Sequence, residues 1–330
     1  MPRRWSAGRT VLAIVLVVLI LAFCSIIKLE LVVNGLFLGS IIALGAIGLS
    51  LVYGILKFAH IAHGDFMTWG AYIAFFLLGT LFPRIGLEGA GLGPFTFGPS
   101  LFLALPLTVL ALVATAIILD RTIYRRLRHR GIGTVVIAMA SLGVAIGMRG
   151  LVQVIWGGGT EQYPRLSKPF YQLPFDVRIP PDGLFIIAVT VILVLALYLF
   201  LTRTKMGKAM RATSDNLELA RVSGIDTERV IWWTWAIGAA LAATAGVLLA
   251  VFQAQIYPIM GWRFLIPLFA AVILGGIGNP YGALAGGLII GVTSEVSTDW
   301  LNPSYKPAIA FGIMILVLLF RPRGLFGVRD

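Results

Sequence analysis

The sequence predicts an all-α protein: a polytopic bundle of transmembrane helices with about 8–10 spans. Hydrophobic residues make up 59% of the 330-residue chain, charged residues only 12%, and the mean hydropathy is +0.95. Many apolar runs approach the roughly 20 residues with which a helix crosses about 30 Å of hydrocarbon. The ~10-residue alternating segments typical of a porin-like barrel do not stand out. These observations exclude an ordinary soluble domain.

Ten apolar segments predict the spans of a single transmembrane domain covering residues 1–330. They lie at about 11–27, 31–54, 65–82, 101–120, 132–156, 183–202, 231–253, 264–278, 281–298 and 306–320. Arg3 and Arg4 before the first span also fit a secretory signal peptide, but the apolar run is long, and we expect a retained helix. The eighth and ninth spans are joined by an uncharged Gly-rich stretch at 275–282. Eight conventional spans with a re-entrant or broken-helix pair are therefore an alternative.

Basic residues fall mainly on one side of these spans. Eighteen of the 26 Lys and Arg residues lie at the termini or in the connections that follow even-numbered spans, and seven lie on the opposite side. The positive-inside rule then predicts that both termini are cytoplasmic. Lipid head groups account for the net charge of +12, so a nucleic-acid partner is not expected. The single cysteine, Cys24, allows no internal disulfide.

This orientation gives two long loops different surroundings. The segment at 203–230 faces the cytoplasm, and the Pro-rich loop at 157–182 faces the periplasm, where it predicts lids, short hairpins or a contact surface. Trp232, Trp233 and Trp235 stand where span seven leaves the cytoplasmic face. We expect them to be interfacial anchors, and the alternative is an aromatic cage for a cation.

Three polar residues near the start of span three are the first candidates for chemistry. His60, His63 and Asp65 could bind a metal, although Gly64 interrupts their spacing and no further His or Cys completes a set. A proton-relay cluster is the second interpretation. The Gly-rich stretch at 275–282 lacks the Lys and Ser/Thr of a phosphate-binding loop, so no ATPase is expected on this chain.

Span two is interrupted by small and polar residues, which predict close helix packing, a lining of the translocation path, or both. They are Asn34, Gly35, Gly39, Ser40, Gly45 and Gly48. Arg149 is the one basic residue placed within a span. It is expected either to extend toward the outer head groups or to face the path and pair with a substrate carboxylate or with Glu295.

The cytoplasmic segment at 203–230 predicts a short helix parallel to the membrane. Ser214 and Asp215 are candidate N-caps, and Gly224 is a natural helix stop. Between them Leu217 and Ala220 share a face with Arg221 and Gly224 at helical spacing, which predicts an apolar face for a groove on a partner. Glu218-Leu219-Ala220 followed by Gly224 approximates the Glu-Ala-Ala-x-x-x-Gly signature with which permeases of ATP-binding-cassette (ABC) importers dock on their ATPases.

The chain resembles the branched-chain amino acid ABC importer permeases, in particular the LivH-type subunit, over about residues 30–326. The residues that carry the resemblance are Asn34-Gly35-Leu36, Gly48 to Gly54, Ala62-His63-Gly64-Asp65, Gly70-Ala71-Tyr72, Asp215-Asn216, Gly224-Ile225-Asp226, Leu274 to Gly278, and Phe320 to Leu325. The Ala-His-Gly-Asp stretch is closer to the LivH branch than to the LivM branch. Departures are the long 157–182 loop and Leu219 in the docking signature.

This resemblance implies a subunit of the bacterial inner (plasma) membrane that imports branched-chain or related amino acids. It implies a second, LivM-like permease subunit, two cytoplasmic ATPases and a periplasmic binding protein as partners. The chain itself would be no enzyme and hold no cofactor, since ATP binds the partners. The alternative is an ion-coupled secondary transporter or channel for a small polar solute such as urea or amides, with broken helices at 60–65 and 275–282.

Two sets of site residues follow from these patterns and the resemblance. The expected ATPase-coupling residues are Arg211, Asp215, Glu218, Ala220, Arg221 and Gly224. The expected translocation-path residues are Asn34, Ser40, Tyr53, His63, Asp65, Gly275, Gly276 and Gly278. No catalytic residue and no metal ligand is expected.

Overall fold

The computed structural model describes residues 28–87, 92–164, 171–173, 177–321 and 324–326. The predicted first span at 11–27 and Cys24 lie outside these residues, as do Arg3 and Arg4. Helices dominate the described part. In chain order they are α1 (Leu29–Leu56), α2 (His63–Phe76), α3 (Ser100–Leu119), α4 (Thr134–Trp156), α5 (Pro181–Arg203), α6 (Lys205–Asp215), α7 (Leu217–Val222), α8 (Thr227–Gln253), α9 (Met260–Gly275), α10 (Pro280–Val296) and α11 (Lys306–Phe320).

Two of these helices continue beyond their regular α-helical part. A π-helical turn at Leu77–Leu81 and a short α-turn at Phe82–Arg84 extend α2. A π-helical turn at Asp120–Tyr124 and a short helix at Arg125–His129 extend α3. The extension places four of the five basic residues after span four, Arg121, Arg125, Arg126 and Arg128, on helix rather than in a loop.

Every predicted span that falls on described residues coincides with a helix. Within the described ranges, seven helices are long and apolar enough to cross a membrane, namely α1, α2, α3, α4, α5, α8 and α11 with their extensions. This confirms the predicted polytopic helical bundle. The helices α9 and α10 have 16 and 17 residues. At 1.5 Å per residue each is about 25 Å long, which is short for a straight crossing.

The centre of the bundle is built on α1 and α8. In the most apolar window of each, 94% of α1 and 78% of α8 is buried, against 17% in α5 and 6% in α11. The helix α1 packs against α10, α8, α9 and α5, while α8 also packs against α2 and α3. The peripheral helices therefore leave apolar faces for lipid or for another subunit.

One of the close helix crossings joins α1 and α10. A Cβ atom built on Gly291 would lie 2.2 Å from the Cα atom of Gly39, a distance at which one backbone has to move. The small residues of span two thus serve close packing, as the sequence predicted. The interpretation as a packing seam is confirmed for this part of α1.

The helices α9 and α10 form a hairpin with a tight turn at 276–279. The turn lies beside the C-terminal end of α1, where a Cβ atom on Gly54 would lie 3.3 Å from the Cα atom of Gly278. Backbone N–H groups of Leu325 and Phe326 donate hydrogen bonds to the carbonyls of Leu274 and Gly275. The turn and the C-terminal segment therefore share the end of the bundle at which α1 ends.

Non-helical segments at the opposite end include two pairs of short strands. The strand β1 (Glu161–Gln162) pairs antiparallel with β4 (Gln255–Ile256), and β2 (Tyr171–Leu173) pairs antiparallel with β3 (Val177–Ile179). The β2–β3 pair confirms the prediction that the 157–182 loop contains a short hairpin. The β1–β4 pair joins this loop to the segment between α8 and α9.

The connection between α1 and α2 enters the protein interior. Phe58, His60 and Ala62 are buried, and the N–H of Ala62 donates to the hydroxyl of Ser141 in α4 at 3.0 Å. The N–H of His63 donates to the carbonyl of His60. Irregular backbone is stable at membrane depth only where such groups find partners inside the protein. The helix break at residues 58–62 is therefore buried or half-buried, while Lys57 before it is exposed.

Candidate functional site

The predicted coupling segment folds as two short helices in series, α6 and α7. The hydroxyl of Thr204 caps α6 by accepting from the N–H of Gly207 at 2.9 Å, and Asn216 caps α7 by accepting from the N–H of Leu219 at 2.9 Å. The expectation that Ser214 or Asp215 caps the second helix is therefore wrong, because both still belong to α6. Asparagine is as good an N-cap as serine or aspartate. Asn216 takes this position, and α7 therefore begins at Leu217, one residue later than a cap at Asp215 would give.

The C-terminal end of α7 follows the prediction. The chain turns at Gly224, which has a φ of +83° and open space around it. Glycine occupies this left-handed conformation without steric cost and ends many helices. The N–H of Ile225 then donates to the carbonyl of Ala220, which closes the turn before α8.

Two side chains fix the coupling segment to α1. The hydroxyl of Ser214 donates to the carbonyl of Gly54 at 3.1 Å. The ammonium of Lys57 donates to the carbonyl of Ser214 at 2.8 Å. The segment thus contacts the end of the most buried helix, and the turn at 276–279 lies beside the same Gly54. A displacement of α6 and α7 can be transmitted directly to α1 and to the α9–α10 hairpin.

The outer surface of the coupling segment is polar with an apolar centre. Of the six expected coupling residues, five are exposed: Arg211, Asp215, Glu218, Arg221 and Gly224. Ala220 is buried at 3% exposure, so it packs on its own chain. The apolar side chains that face outward are Leu219 and Val222, at 61% and 81% exposure.

The predicted apolar face is therefore misplaced. The Leu217 and Ala220 stripe was expected to fit a partner, but Ala220 is buried and Leu217 is half-buried. Two apolar pairs in the six-residue helix α7 have i, i+3 spacing, Leu217 with Ala220 and Leu219 with Val222. The spacing alone does not say which pair faces the protein. Leu219, which departs from the docking signature, thus presents apolar surface to the outside together with Val222. We call Leu219 and Val222 with their exposed neighbours Arg211, Asp215, Glu218, Arg221 and Gly224 the coupling face.

Ion pairs join the neighbouring helix ends to this region. Glu228 near the start of α8 accepts from Arg125 at 3.0 Å and lies 3.5 Å from His129. Arg128 contacts Asp120 at 2.7 Å. The basic extension of α3 therefore lies at the same end of the bundle as the coupling segment. The structure brings together three connections that the charge count assigned to the cytoplasm.

His63 occupies a notch in the centre of α1. Its Nε2 atom lies 2.9 Å from the carbonyl oxygen of Gly45, and its ring would contact a Cβ atom on Gly48 at 3.1 Å. Gly48 leaves room for the imidazole, whereas Gly45 contributes its carbonyl oxygen, and a Cβ atom there would meet Leu268 at 2.7 Å. This geometry joins α2 to α1, and a role for His63 in the translocation path stays a prediction.

His60 lies in an aromatic cluster beneath the coupling segment. Its ring centroid is 4.9 Å from that of Trp235 and 5.1 Å from that of Phe66. Trp235 is 1% exposed and stacks on Tyr124 at 5.0 Å. The expectation that Trp235 is an interfacial anchor is wrong, because it lies two turns inside α8 and faces α3. Trp232 is 39% exposed, as an anchor should be.

Asp65 and Arg149 form a buried ion pair that joins three helices. The guanidinium of Arg149 in α4 donates to both carboxylate oxygens of Asp65 in α2 at 3.2–3.3 Å, and Asp65 is 1% exposed. The same guanidinium lies 4.7 Å from the ring centroid of Trp262 in α9. The alternative in which Arg149 pairs with Glu295 is wrong, since Glu295 pairs with Lys306.

His60, His63 and Asp65 consequently do not converge on one point. The two imidazole rings are 5.7 Å apart, but the carboxylate turns toward Arg149. Among the described residues no group of three His, Cys, Asp or Glu side chains is arranged to hold a metal ion. The cluster instead links α1, α2, α4 and α8.

The remaining path candidates are distributed over α1 and the α9–α10 turn. Asn34 and Tyr53 are half-buried, and the hydroxyl of Ser40 donates to the carbonyl of Leu36 within α1 at 2.8 Å. Gly275 is packed against the backbone of Gly282. Gly276 and Gly278 have positive φ angles in the α9–α10 turn. Their positions fit helix packing and turn formation, and their part in transport stays a prediction.

The comparison with known families decides the class of protein. The sequence model for "Branched-chain amino acid transport system / permease component" matches residues 31–318. The chain belongs to this family. The match covers all the described helices from α1 to α11 except two residues at either end. The predicted resemblance to these permeases is confirmed.

Individual relatives agree with this assignment. The chain is 35% identical over 311 residues to the high-affinity branched-chain amino acid transport system permease protein BraD of Pseudomonas aeruginosa, covering 91% of this chain and 95% of BraD. It is 34% identical over 300 residues to LivH of Escherichia coli K12, covering 89% and 94%. Against LivM of the same strain it is 28% identical over 162 residues, covering 47% and 37%. The similarity thus follows the LivH branch, as predicted.

Proposed function

We propose that this chain is the LivH-type permease subunit of an ABC importer for branched-chain amino acids in the bacterial inner membrane. The observation that carries the proposal is full-length similarity to BraD and LivH, whose names state this transport. Family membership and seven apolar helices in the described part already make the chain a multi-pass membrane protein. The proposal adds the solute, the membrane and the energy source.

The coupling face supports an external energy source. Leu219 and Val222 are exposed at a position where polar side chains surround them, which is the composition of a docking surface with an apolar centre and a polar rim. The hydrogen bonds from Ser214 and Lys57 connect this face to α1. Two ATPase subunits that close on ATP would move the coupling face, and α1 would move with it.

The proposed assembly contains this chain, a LivM-like second permease, two cytoplasmic ATPases and a periplasmic binding protein. The binding protein delivers the amino acid to the outer end of the helices. ATP is bound by the ATPases, so this chain needs no cofactor of its own. The lightly buried helices α5 and α11 leave surface that a second permease can cover.

The test is ATP-dependent uptake by the complete importer. The chain is produced with its genomic neighbours, purified, and reconstituted in vesicles that contain ATP, and leucine, isoleucine and valine uptake is measured. We expect co-purification of two ATPase subunits and uptake that stops when ATP is omitted. The variant Glu218→Lys with Gly224→Trp should lose both ATPase association and uptake. The exposed variant Arg84→Gln, at the opposite end of α2, serves as the matched control.

Uptake driven by a proton gradient in vesicles without ATPases would instead support an ion-coupled transporter and overturn the proposal. Full ATPase association and uptake in the Glu218→Lys, Gly224→Trp variant would overturn the docking assignment alone. Uptake of a different amino acid class with ATP would retain the mechanism and reject the branched-chain solute. The three outcomes separate the energy source, the docking site and the solute.

A further inference from the structure

A large cavity opens at the end of the bundle opposite the coupling face. Its volume is about 630 Å³. Side chains from the outer ends of α1, α8, α9, α10 and α11 line it, and the residues that matter below are Leu38, Gln253, Arg263, Phe264, Glu295 and Lys306. Ligand pockets commonly have this size, with apolar walls and a few placed polar groups.

Charged side chains at the end of α10 and the start of α11 face this cavity. Glu295 in α10 is 8% exposed, and it accepts from the ammonium of Lys306 at the start of α11. Ionisable residues inside transmembrane segments are costly and commonly mark substrate pathways. The pair is therefore placed where a solute moving between these helices would meet it.

Two further residues, Arg263 and Gln253, add hydrogen-bond donors and a hydrogen-bond acceptor to the cavity wall. The guanidinium of Arg263 in α9 lies 5.1 Å from the ring centroid of Tyr257, which holds the exposed side chain at the cavity wall. The Oε1 atom of Gln253, at the end of α8, is buried without a hydrogen-bond partner among the described residues. Arg263 and Lys306 can thus donate to an anion, while Glu295 and Gln253 can accept from a cation.

This arrangement is complementary to a zwitterion. An α-ammonium group can replace the Lys306 ammonium on Glu295 and donate to Gln253, which leaves Lys306 and Arg263 for the α-carboxylate. The exchange substitutes one ammonium for another and brings in no net charge, so it avoids the cost of burying an unpaired ion. Arginine suits the carboxylate because its planar fork makes two parallel hydrogen bonds. Leu38 and Phe264 supply apolar wall for a side chain.

We propose that this outer cavity is a binding site for a zwitterionic amino acid, with Glu295 and Gln253 contacting its ammonium and Arg263 and Lys306 its carboxylate. The proposal rests on the proposed function, since it names where the permease itself contacts the transported solute. It assigns the permease a recognition step for the charged backbone of the amino acid, separate from any selection by a binding protein.

The test measures protection of a cysteine placed in the cavity. The single native cysteine is replaced by Cys24→Ala, and Ser304→Cys, an exposed position that lines the cavity, is labelled with a membrane-impermeant maleimide. The full chain is reconstituted with its co-purified partner subunits but without the binding protein. Leucine should slow labelling, whereas isovalerate, which lacks the ammonium, and isoamylamine, which lacks the carboxylate, should not.

Single charge removals then test the assigned contacts. Glu295→Gln and Arg263→Gln should each raise the leucine concentration needed for half-protection about tenfold or more, the effect of losing a charge-assisted hydrogen bond. The matched control is Lys28→Gln. Lys28 pairs with Asp299 at 2.8 Å, so this substitution removes another Lys–carboxylate pair. That pair joins the start of α1 to the segment after α10 and lies outside the cavity lining. The substitution should leave protection unchanged.

Absence of protection by leucine, in a complex that takes up leucine, would overturn this proposal and leave the proposed function standing. Equal protection by isovalerate or isoamylamine, or an equal loss in Lys28→Gln, would also overturn it. Protection by leucine in a complex that transports no branched-chain amino acid would retain the cavity site and reject the proposed function. Labelling of Leu87→Cys, at an exposed site that is not part of the cavity lining, controls for general effects of leucine.

Discussion

Among single residues, Asp65 and Arg149 form an ion pair whose carboxylate is almost fully buried. Asp65 is 1% exposed and Arg149 is 19% exposed, so each charge depends on the other for compensation. Removing one partner of a buried pair leaves an unpaired charge, which costs more than replacing both. Trp262 adds an aromatic face beside the guanidinium. The pair therefore determines how α2, α4 and α9 fit together.

Substitution of Arg149 should destabilise the protein strongly. We expect Arg149→Ala to lower the free energy of unfolding by about 3 kcal/mol, the lower part of the range for broken buried pairs, because Arg149 keeps some solvent contact. Thermal unfolding of the protein in detergent measures the change. The double variant Asp65→Asn with Arg149→Gln should recover more than half of the loss, since it removes both charges. Arg84→Gln, on an exposed arginine, is the control and should be near neutral.

A double variant no more stable than Arg149→Ala would show that the ion pair does not account for the effect.

Sequence patterns identified both residues but not their pairing. Arg149 lies 84 positions from Asp65 and 146 positions from Glu295, the alternative partner, so a local pattern identifies neither pairing. Only the packing of α2 against α4 decides between the carboxylates. The His63 contact with Gly45 escaped prediction for the same reason.

At the scale of elements, the crossing of α1 and α10 is limited by backbone contact. A Cβ atom on Gly291 would lie 2.2 Å from Gly39, whereas Gly312 in α11 has open space around it. Gly291→Ala should therefore force the two helices apart, lower the unfolding temperature and reduce transport, because α1 connects the coupling face to the core. Gly312→Ala places the same methyl group without a clash and should be neutral or slightly stabilising, since alanine favours helix.

Unfolding temperature and uptake of the two alanine variants, measured side by side, check this prediction. Equal stability of Gly291→Ala and the wild type would contradict the close crossing.

Sequence patterns located every helix of the described spans, because long apolar runs in a chain of this composition have few other solutions. They did not give the π-helical turns at Leu77–Leu81 and Asp120–Tyr124, or the helical extension at Arg125–His129. Those depend on local packing rather than on apolar length.

The α9–α10 hairpin was predicted only as one of two alternatives. Its helices are shorter than a full crossing, yet its turn lies beside Gly54 at the end of α1. The uncharged turn sequence at 275–282 gave no indication of depth. Contacts with the C-terminal residues Leu325 and Phe326 place the turn at one end of the bundle, and these contacts are too distant in sequence to be read from a local pattern.

At the scale of the whole molecule, the basic connections gather at one end. The α3 extension, the coupling segment and the end of α1 meet there through Glu228, Ser214 and Lys57. The charge count predicts that this end is cytoplasmic. In a Cys24→Ala background, Ser223→Cys in the coupling segment should be labelled by an impermeant maleimide only after the membrane is opened. Leu87→Cys, which follows the α2 extension at the opposite end of the bundle, should be labelled in intact cells.

Labelling of Ser223→Cys in intact cells would reverse the predicted orientation and would place the coupling face on the wrong side for a cytoplasmic ATPase. Both positions are exposed, so an unreactive cysteine can be distinguished from a protected one by labelling the solubilised protein. The comparison needs no transport activity. It therefore tests the orientation independently of the proposed solute.

The coupling face gives the last and most direct prediction. Leu219 and Val222 are exposed at 61% and 81% in this chain, and burial of such side chains by a partner contributes roughly 1.5–3 kcal/mol each. We expect Leu219→Asp or Val222→Asp to weaken association with the ATPase subunits by about tenfold or more while leaving the unfolding temperature of the permease unchanged. Co-purification yield and ATPase stimulation measure the loss.

Leu87→Asp is the matched control, because Leu87 is an exposed leucine, 46% exposed, that lies after the α2 extension and outside the coupling face. Ala220→Asp should behave differently from the two exposed substitutions. Ala220 is 3% exposed against its own chain, so a charge there lowers the unfolding temperature as well as ATPase association. If Leu219→Asp and Val222→Asp retained full ATPase association, the partner would bind elsewhere, and the link from Ser214 to α1 could not carry its movement.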